Sequence, residues 1–279
     1  MNLENIVKKA SQILKEHNIH SHELDAQIIL SDIIGVKRES LIVNNDKNVS
    51  KENILKYDLA IKRRIKKEPV AYILGKKEFW NETFKVNSST LIPRPESELL
   101  IYKLVNYFKN KKINILDVGT GSGCILLSLL KELNLSRGIG IDISSRAVKI
   151  AKINSKKLNL LNFSKFKVIG IDDFKIGRYD LIVSNPPYIS LKDMKKLSKD
   201  ILDYEPLIAL KGGHDGLDLI KKVIYKSNHL LKTNGLLGIE VGTNQYFKVS
   251  DILKKNGFRE IHKEYDYNNN VRCIISTKP

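Results

Sequence analysis

Asn185, Pro186, Pro187 and Tyr188 follow directly on the apolar run Tyr179-Asp180-Leu181-Ile182-Val183 and Ser184. That combination suits the capture of one planar nitrogen. Neither proline can donate to a β ladder, and each pushes the residue before it towards extended geometry, so the strand stops there and cannot continue as helix. A turn held this way can aim the Asn185 side-chain carbonyl and the Pro186 backbone carbonyl at one point, where two acceptors would take the two hydrogens of an NH2 group. The ring of Tyr188 can then stack on the flat face of the same group. Taken alone, the stretch also fits an ordinary proline turn at the end of a strand.

A second constellation lies upstream. The strand pattern Ile113-Asn114-Ile115-Leu116-Asp117-Val118 runs into Gly119-Thr120-Gly121-Ser122-Gly123-Cys124 and then into a helical pattern from Ile125 to Leu133. Strand, glycine loop and helix in this order form nucleoside sites, because glycine permits a tight turn and a close approach of ligand to backbone. The spacing is G-x-G-x-G, which differs from the G-x-G-x-x-G of pyrophosphate binders. Another strand pattern, Gly138 to Ile141, ends in Asp142, 25 residues after Asp117, where a carboxylate can accept both hydroxyls of a ribose.

In Asp117 to Gly123, Asp142 and Asn185 to Tyr188 the chain resembles the S-adenosylmethionine-dependent Rossmann-like methyltransferases, and more narrowly the glutamine N5-methyltransferases that modify peptide chain release factors. The stretches Pro69 to Gly75, Glu78-Phe79-Trp80, Phe84-Lys85-Val86, Leu91-Ile92-Pro93-Arg94-Pro95-Glu96, Tyr204-Glu205-Pro206 and Gly212 to Leu217 also resemble that family's signatures. The Leu91 to Glu96 stretch discriminates best, since the ribosomal-protein glutamine methyltransferases typically differ there, whereas Asn-Pro-Pro-Tyr is shared with DNA adenine methyltransferases. The resemblance implies S-adenosylmethionine as cofactor, and as substrate the glutamine of the Gly-Gly-Gln motif of release factors, in support of translation termination. It implies Asn185, Pro186 and Tyr188 as catalytic, with Pro187 beside them on the substrate. Gly119, Thr120, Gly121, Ser122, Gly123, Asp142, Asp173 and Asn185 would line the cofactor. Where the family often has an aromatic residue after an acidic one near the adenine, this chain has Asp172-Asp173-Phe174, so Phe174 or a hydrogen bond would have to hold the base. A nucleic-acid methyltransferase using the same turn on an exocyclic amine is the alternative, with the base flipped out of its stack.

The elements that must position these residues are legible in outline. The expected fold is α/β: a Rossmann-like sheet with a small amino-terminal helical domain and a linking β-hairpin. Helical spacing runs from Asn2 to His17, from Glu23 to Gly35 with Ser21 as cap, and from Lys51 to Lys67 with Ser50 as cap. A hairpin is expected over Glu78 to Val86, turning at Asn81-Glu82, and a helix starts at Pro93 to Glu98. Strands at 113–118, 138–142, 166–170, 180–184 and 235–241 alternate with helices, which argues for a parallel sheet covered on both faces. A closing hairpin pairs Phe258 to Tyr265 with Val271 to Thr277. Two domains are expected, a substrate-recognition part at 1–86 that includes the hairpin and a methyltransferase part at 87–279. Tyr204-Glu205-Pro206 and Gly212 to Gly216 follow the active strand and suit a lid or entrance loop.

Composition bounds the rest. The formal charge of +17 comes mostly from lysine, 39 of the 48 basic residues, spread along the whole chain, so it reads as a compositional bias that attracts polyanions without specificity. The dense cluster Lys62-Arg63-Arg64-Ile65-Lys66-Lys67 suits a solvated helix end, where positive charge complements the macrodipole. Cys124 and Cys273 are 149 residues apart and make neither a metal pattern nor a disulfide framework, and the histidines are scattered. No metal is expected, nor a specific nucleic acid or a membrane partner. A cytoplasmic monomer is the expectation.

Overall fold

The computed structural model describes residues 2–43 and 47–279. The chain forms two compact units, one made of the residues up to Lys76 together with Ser198–Tyr204, the other of Lys77–Leu197 and Glu205–Pro279.

The first unit is helical, with helices Leu3–Glu16, His22–Ile34, Glu39–Val43, Lys51–Ile65 and Val70–Leu74, and the short helix Lys199–Tyr204. Asn2 and Ser50 cap their helices by accepting from the N–H three residues on, at 3.1 and 3.2 Å. Ser21 does not cap in this way, because its hydroxyl is drawn to the Asp25 carboxylate at 2.8 Å. Leu14, Ile29, Leu30 and Tyr57 fill the core, each fully buried aliphatic contributing roughly 1.5–3 kcal/mol. The basic cluster is less solvated than its charge suggests. Arg64 is buried and donates to Asp25 at 2.7 Å and to Asp200 at 3.3 Å, while Arg63 is paired with Glu68.

The second unit takes in, from Lys77 on, the hairpin of β1 (Lys76–Phe79) and β2 (Glu82–Lys85). Its turn is Trp80-Asn81, one residue earlier than the sequence suggests, with φ of 48° and 60°. Two consecutive positive φ values give the turn a hand that matches strand twist. Phe79 and Phe84 project into the core of this unit against Leu100 and Leu104, and the β2 backbone is held by Asn154 at 2.7 Å.

Among the described residues seven strands form the main sheet: β3 (Asn114–Val118), β4 (Arg137–Asp142), β5 (Ser164–Val168), β6 (Tyr179–Ser184), β7 (Leu231–Glu240), β8 (Arg259–Tyr265) and β9 (Val271–Thr277). Their order is β5-β4-β3-β6-β7-β9-β8; the first five are parallel and the closing hairpin β8-β9 is antiparallel, so the sheet is mixed. Alternation sends Ile115, Leu181 and Leu236 to one face and Leu116, Ile182 and Leu237 to the other, and helices cover both. Strand order reverses between β3 and β6. Ligands of open parallel sheets bind at such a reversal, beyond the carboxyl ends of the strands. Among the described residues no helix is long and apolar enough to cross a membrane.

Candidate active site

Register decides which residues meet at that reversal. Val118 on β3 pairs with Ile141 on β4 and with Ser184 on β6, so Gly119, Asp142 and Asn185 follow at neighbouring strand ends. Adjacent strands lie about 4.8 Å apart, which puts the three constellations inferred from sequence side by side.

The glycine loop is bound to the second strand end. Gly119 N–H and Thr120 N–H donate to the Ile141 carbonyl at 2.9 and 3.0 Å, and Gly121 N–H donates to Asp142 Oδ2 at 2.9 Å. Gly119 and Gly121 take φ of 73° and 55°, which L side chains rarely adopt. A Cβ at Gly119 would meet nothing within 4 Å, so space in front of the loop is open to a ligand. The side chains of Thr120 and Ser122 are buried instead, and the Thr120 hydroxyl donates to Asp117 at 2.6 Å. What these two residues offer a ligand is therefore backbone.

Asp142 accepts from Gly121 N–H through one oxygen and from Ser144 N–H at 2.8 Å through the other, which leaves lone pairs on both. Burial pushes its carboxyl above the ordinary range, opposed by those backbone donors. Asp117, buried below the loop, is pushed up to about 7 by desolvation against the Thr120 hydrogen bond. Asp172 and Asp173 lie on an exposed turn after β5, with Asp172 paired to Lys222 at 2.6 Å. Phe174 cannot take over a stacking role, because it is fully buried in the core beside Tyr179. Two exposed apolar side chains lie at this end, Ile143 next to Asp142 and Val168, which pairs with Asp142 on β5.

At the third strand end Asn185 is half-buried and Pro186 buried. The Asn185 amide nitrogen donates to Ser97 Oγ at 3.1 Å, and the Ser97 hydroxyl donates to Glu240 Oε2 at 2.5 Å. The other Glu240 oxygen accepts from the Tyr188 hydroxyl at 3.1 Å, and Arg272 donates to that hydroxyl at 3.0 Å. Burial, reinforced by the Glu240 charge, raises the Tyr188 phenol above its ordinary range and keeps it a donor. Burial also raises the Glu240 carboxyl, against the Ser97 hydrogen bond and the Arg272 charge. An open cleft of about 710 Å³ lies beside Tyr188, bordered by Leu191, His214, Gln245 and Lys248.

Sequence reading missed Ser97, Glu240 and Arg272. One signal was present, a single carboxylate in the apolar run Leu236-Leu237-Gly238-Ile239-Glu240-Val241. A lone charge in a buried strand needs a partner.

The segments expected to act as lids are anchors. Glu205 is buried, accepts from Ile92 N–H at 3.2 Å and pairs with Arg94. Gly212 N–H donates to the Ile189 carbonyl at 2.9 Å, and a Cβ at Gly212 would stand 2.6 Å from the Pro187 carbonyl. The glycine-rich loop thus buttresses Asn185 to Tyr188 from behind.

Known proteins resemble the chain over nearly its whole length. A model described as PrmC N-terminal domain matches residues 5–75, and one described as Methyltransferase domain matches residues 109–274. The chain is 40% identical over 278 residues to a release factor glutamine methyltransferase of Buchnera aphidicola subsp. Schizaphis graminum (strain Sg), covering 100% of both chains. It is 36% identical over 282 residues to the protein of the same description in Clostridium acetobutylicum, covering 100% of this chain and 99% of the relative. A solved methyltransferase from Pyrococcus furiosus superposes with a TM-score of 0.54 at 16% identity, over 70% of this chain and 88% of that one, which shows the shared fold.

Proposed function

The chain belongs to the release factor glutamine methyltransferase family, and from that premise we propose which residues carry its reaction. It is an S-adenosylmethionine-dependent enzyme that methylates the side-chain amide of a glutamine in peptide chain release factors. The full-length likeness to that family leaves the nucleic-acid alternative without support of its own. In our reading the glutamine is that of the Gly-Gly-Gln motif, the enzyme works as a cytoplasmic monomer, and its basic charge selects no particular nucleic acid.

When bound, the cofactor supplies a methyl group on a positively charged sulfur. The open space before Gly119 and the free lone pairs of Asp142 fit such a nucleoside, with Gly119 to Gly123 along its methionine and ribose side and Asp142 on the ribose hydroxyls. Ile143 offers an apolar face for the base, and Asp173 a hydrogen-bond acceptor at the same end.

An amide nitrogen is a poor nucleophile because its lone pair is delocalised, so the site must orient it and stabilise the charge it gains. Asn185 Oδ1 and the Pro186 carbonyl take the two N–H groups, and both bonds strengthen as the nitrogen becomes positive. Holding the nitrogen in line contributes up to about 7–11 kcal/mol in favourable cases. Tyr188, fixed at its hydroxyl by Glu240 and Arg272, packs its ring on the amide, and Pro187 shapes the same wall. The nitrogen held this way would take the methyl group that the bound cofactor supplies, an N–C bond replacing the carbon–sulfur bond whose electron pair stays on sulfur, and would then give one proton to water. No side chain among Asn185 to Tyr188 is a general base.

One observation carries this assignment: the Asn185 amide nitrogen is already engaged with Ser97, so its carbonyl is the edge left for a substrate. The test is incubation with isotopically labelled cofactor and either an intact release factor or DNA, followed by mass spectrometry. Label on the Gly-Gly-Gln glutamine is expected, and label on DNA would refute the reading.

A further inference from the structure

Asparagine has two edges of almost the same shape and opposite hydrogen-bond character. If the Asn185 NH2 faced the substrate amide, two donors would oppose each other and the transition-state acceptor would be lost. Something must therefore select the edge, and the buried chain from Asn185 to Glu240 has the chemistry to do it.

The polarity can be followed atom by atom. An ionised carboxylate only accepts, so Glu240 Oε2 fixes the direction of the 2.5 Å bond and takes the Ser97 hydrogen. With its single hydrogen committed, Ser97 Oγ has only lone pairs left, and the group it meets at 3.1 Å must be the Asn185 NH2. The Asn185 carbonyl is then turned away from Ser97 and is the edge left for a substrate. Ser97 and Glu240 are both buried, at 2% and 0% exposure, so water does not compete for the bond between them. Tyr188 donates to the second Glu240 oxygen and Arg272 stands 3.8 Å from it, a positive charge that opposes the effect of burial on the carboxyl.

We propose that Ser97 and Glu240 are positioning residues for the methyl transfer, acting through Asn185 by setting which edge of its amide faces the substrate. The proposal rests on the role of Asn185 given above. Neither residue touches the reacting atoms. Ser97 arrives on the helix Glu96–Phe108 and Glu240 at the end of β7, where Ile239 pairs with Ser184, so each is brought to Asn185 by a rigid element.

The experiment is a variant cycle on the full-length enzyme with an intact release factor. Ser97→Ala is expected to lower kcat at least about tenfold, through the looser placement of one reacting partner. Cofactor affinity by calorimetry and the thermal midpoint are expected to stay close to wild type, and Ser97→Thr, which keeps the hydroxyl, to retain most of the rate. In an Asn185→Ala background, Ser97→Ala should cost nothing further, because Ser97 then has nothing to orient. A second measurement needs no variant: in a ¹⁵N spectrum of the wild-type protein, one proton of the Asn185 side-chain NH2 should exchange slowly with water. Wild-type turnover in Ser97→Ala, or an undiminished Ser97→Ala effect in the Asn185→Ala background, would each overturn the inference while leaving the Asn185 assignment standing; fast exchange of both amide protons would overturn the inference and also remove the observation on which that assignment rests. Near-wild-type turnover in Asn185→Ala alone would remove that assignment, and the inference with it.

Discussion

Asn185 and Asp142 sit at strand ends on either side of β3, and in our proposal they divide the work between substrate and cofactor, so their variants should fail differently. Asn185→Ala removes one hydrogen bond that strengthens as charge develops, and turnover should fall on the order of 10²–10³ with cofactor affinity little changed. Asp142→Ala removes the ribose acceptors and also releases Gly121 N–H and Ser144 N–H, so calorimetry should show cofactor binding weakened at least about tenfold. Asp117 gives a pH test of the same region. Its folded-state pKa of about 7 lies above the ordinary carboxyl value, so the stability it contributes is complete below pH 4 and is lost as pH rises through 7. Asp117→Asn, which cannot ionise, should show a midpoint advantage over wild type that grows between pH 5 and pH 8 in thermal melts of the cofactor-free protein. A constant difference across that range would show that Asp117 titrates normally.

At the level of elements, the site depends on loops that are held from behind. Gly216 has φ of 78°, and a Cβ there would press on the Tyr188 carbonyl, which is backbone and cannot give way easily. Gly216→Ala should therefore lower the thermal midpoint by several degrees and reduce methylation together with it, whereas an unchanged enzyme would mean the loop tolerates displacement. The hairpin makes a similar point. Trp80 adopts φ of 48° despite its bulk, and its backbone N–H and ring N–H are held by Glu98 at 3.0 Å and Glu132 at 2.9 Å. Sequence placed the turn at Asn81-Glu82 because asparagine is the better turn former, and those two tertiary hydrogen bonds outweigh that preference.

For the whole molecule, the question is how one glutamine is chosen among many. A single side-chain amide offers too few contacts to discriminate, so a second surface must recognise the folded release factor, and we assign that task to the amino-terminal helical unit. The full chain should methylate an intact release factor far better than a short Gly-Gly-Gln peptide, as read by label incorporation; equal rates would deny the helical unit its role. A chain beginning at Lys77 should keep cofactor binding and lose release factor methylation. Beginning at Asn87 instead removes Phe79 and Phe84 from the core, and should cost stability as well.

Sequence alone located the three strand ends and the residues that follow them, because glycine spacing, a terminal carboxylate and a double proline are local constraints that a chain cannot satisfy in many ways. It also determined the helical first unit and the alternation of strands and helices, since periodicity is set by neighbours three, four or two residues away. The partners of Asn185 were decided by tertiary structure. Ser97 and Glu240 stand 88 and 55 residues from it, and only the order β3-β6-β7 and the register of Ser184 with Ile239 bring them together. The same holds for Phe174, Glu205 and the glycine-rich loop, which looked free in sequence and are buried or braced in the fold. Burial is a property of the packed chain as a whole, so no local pattern could have reported it.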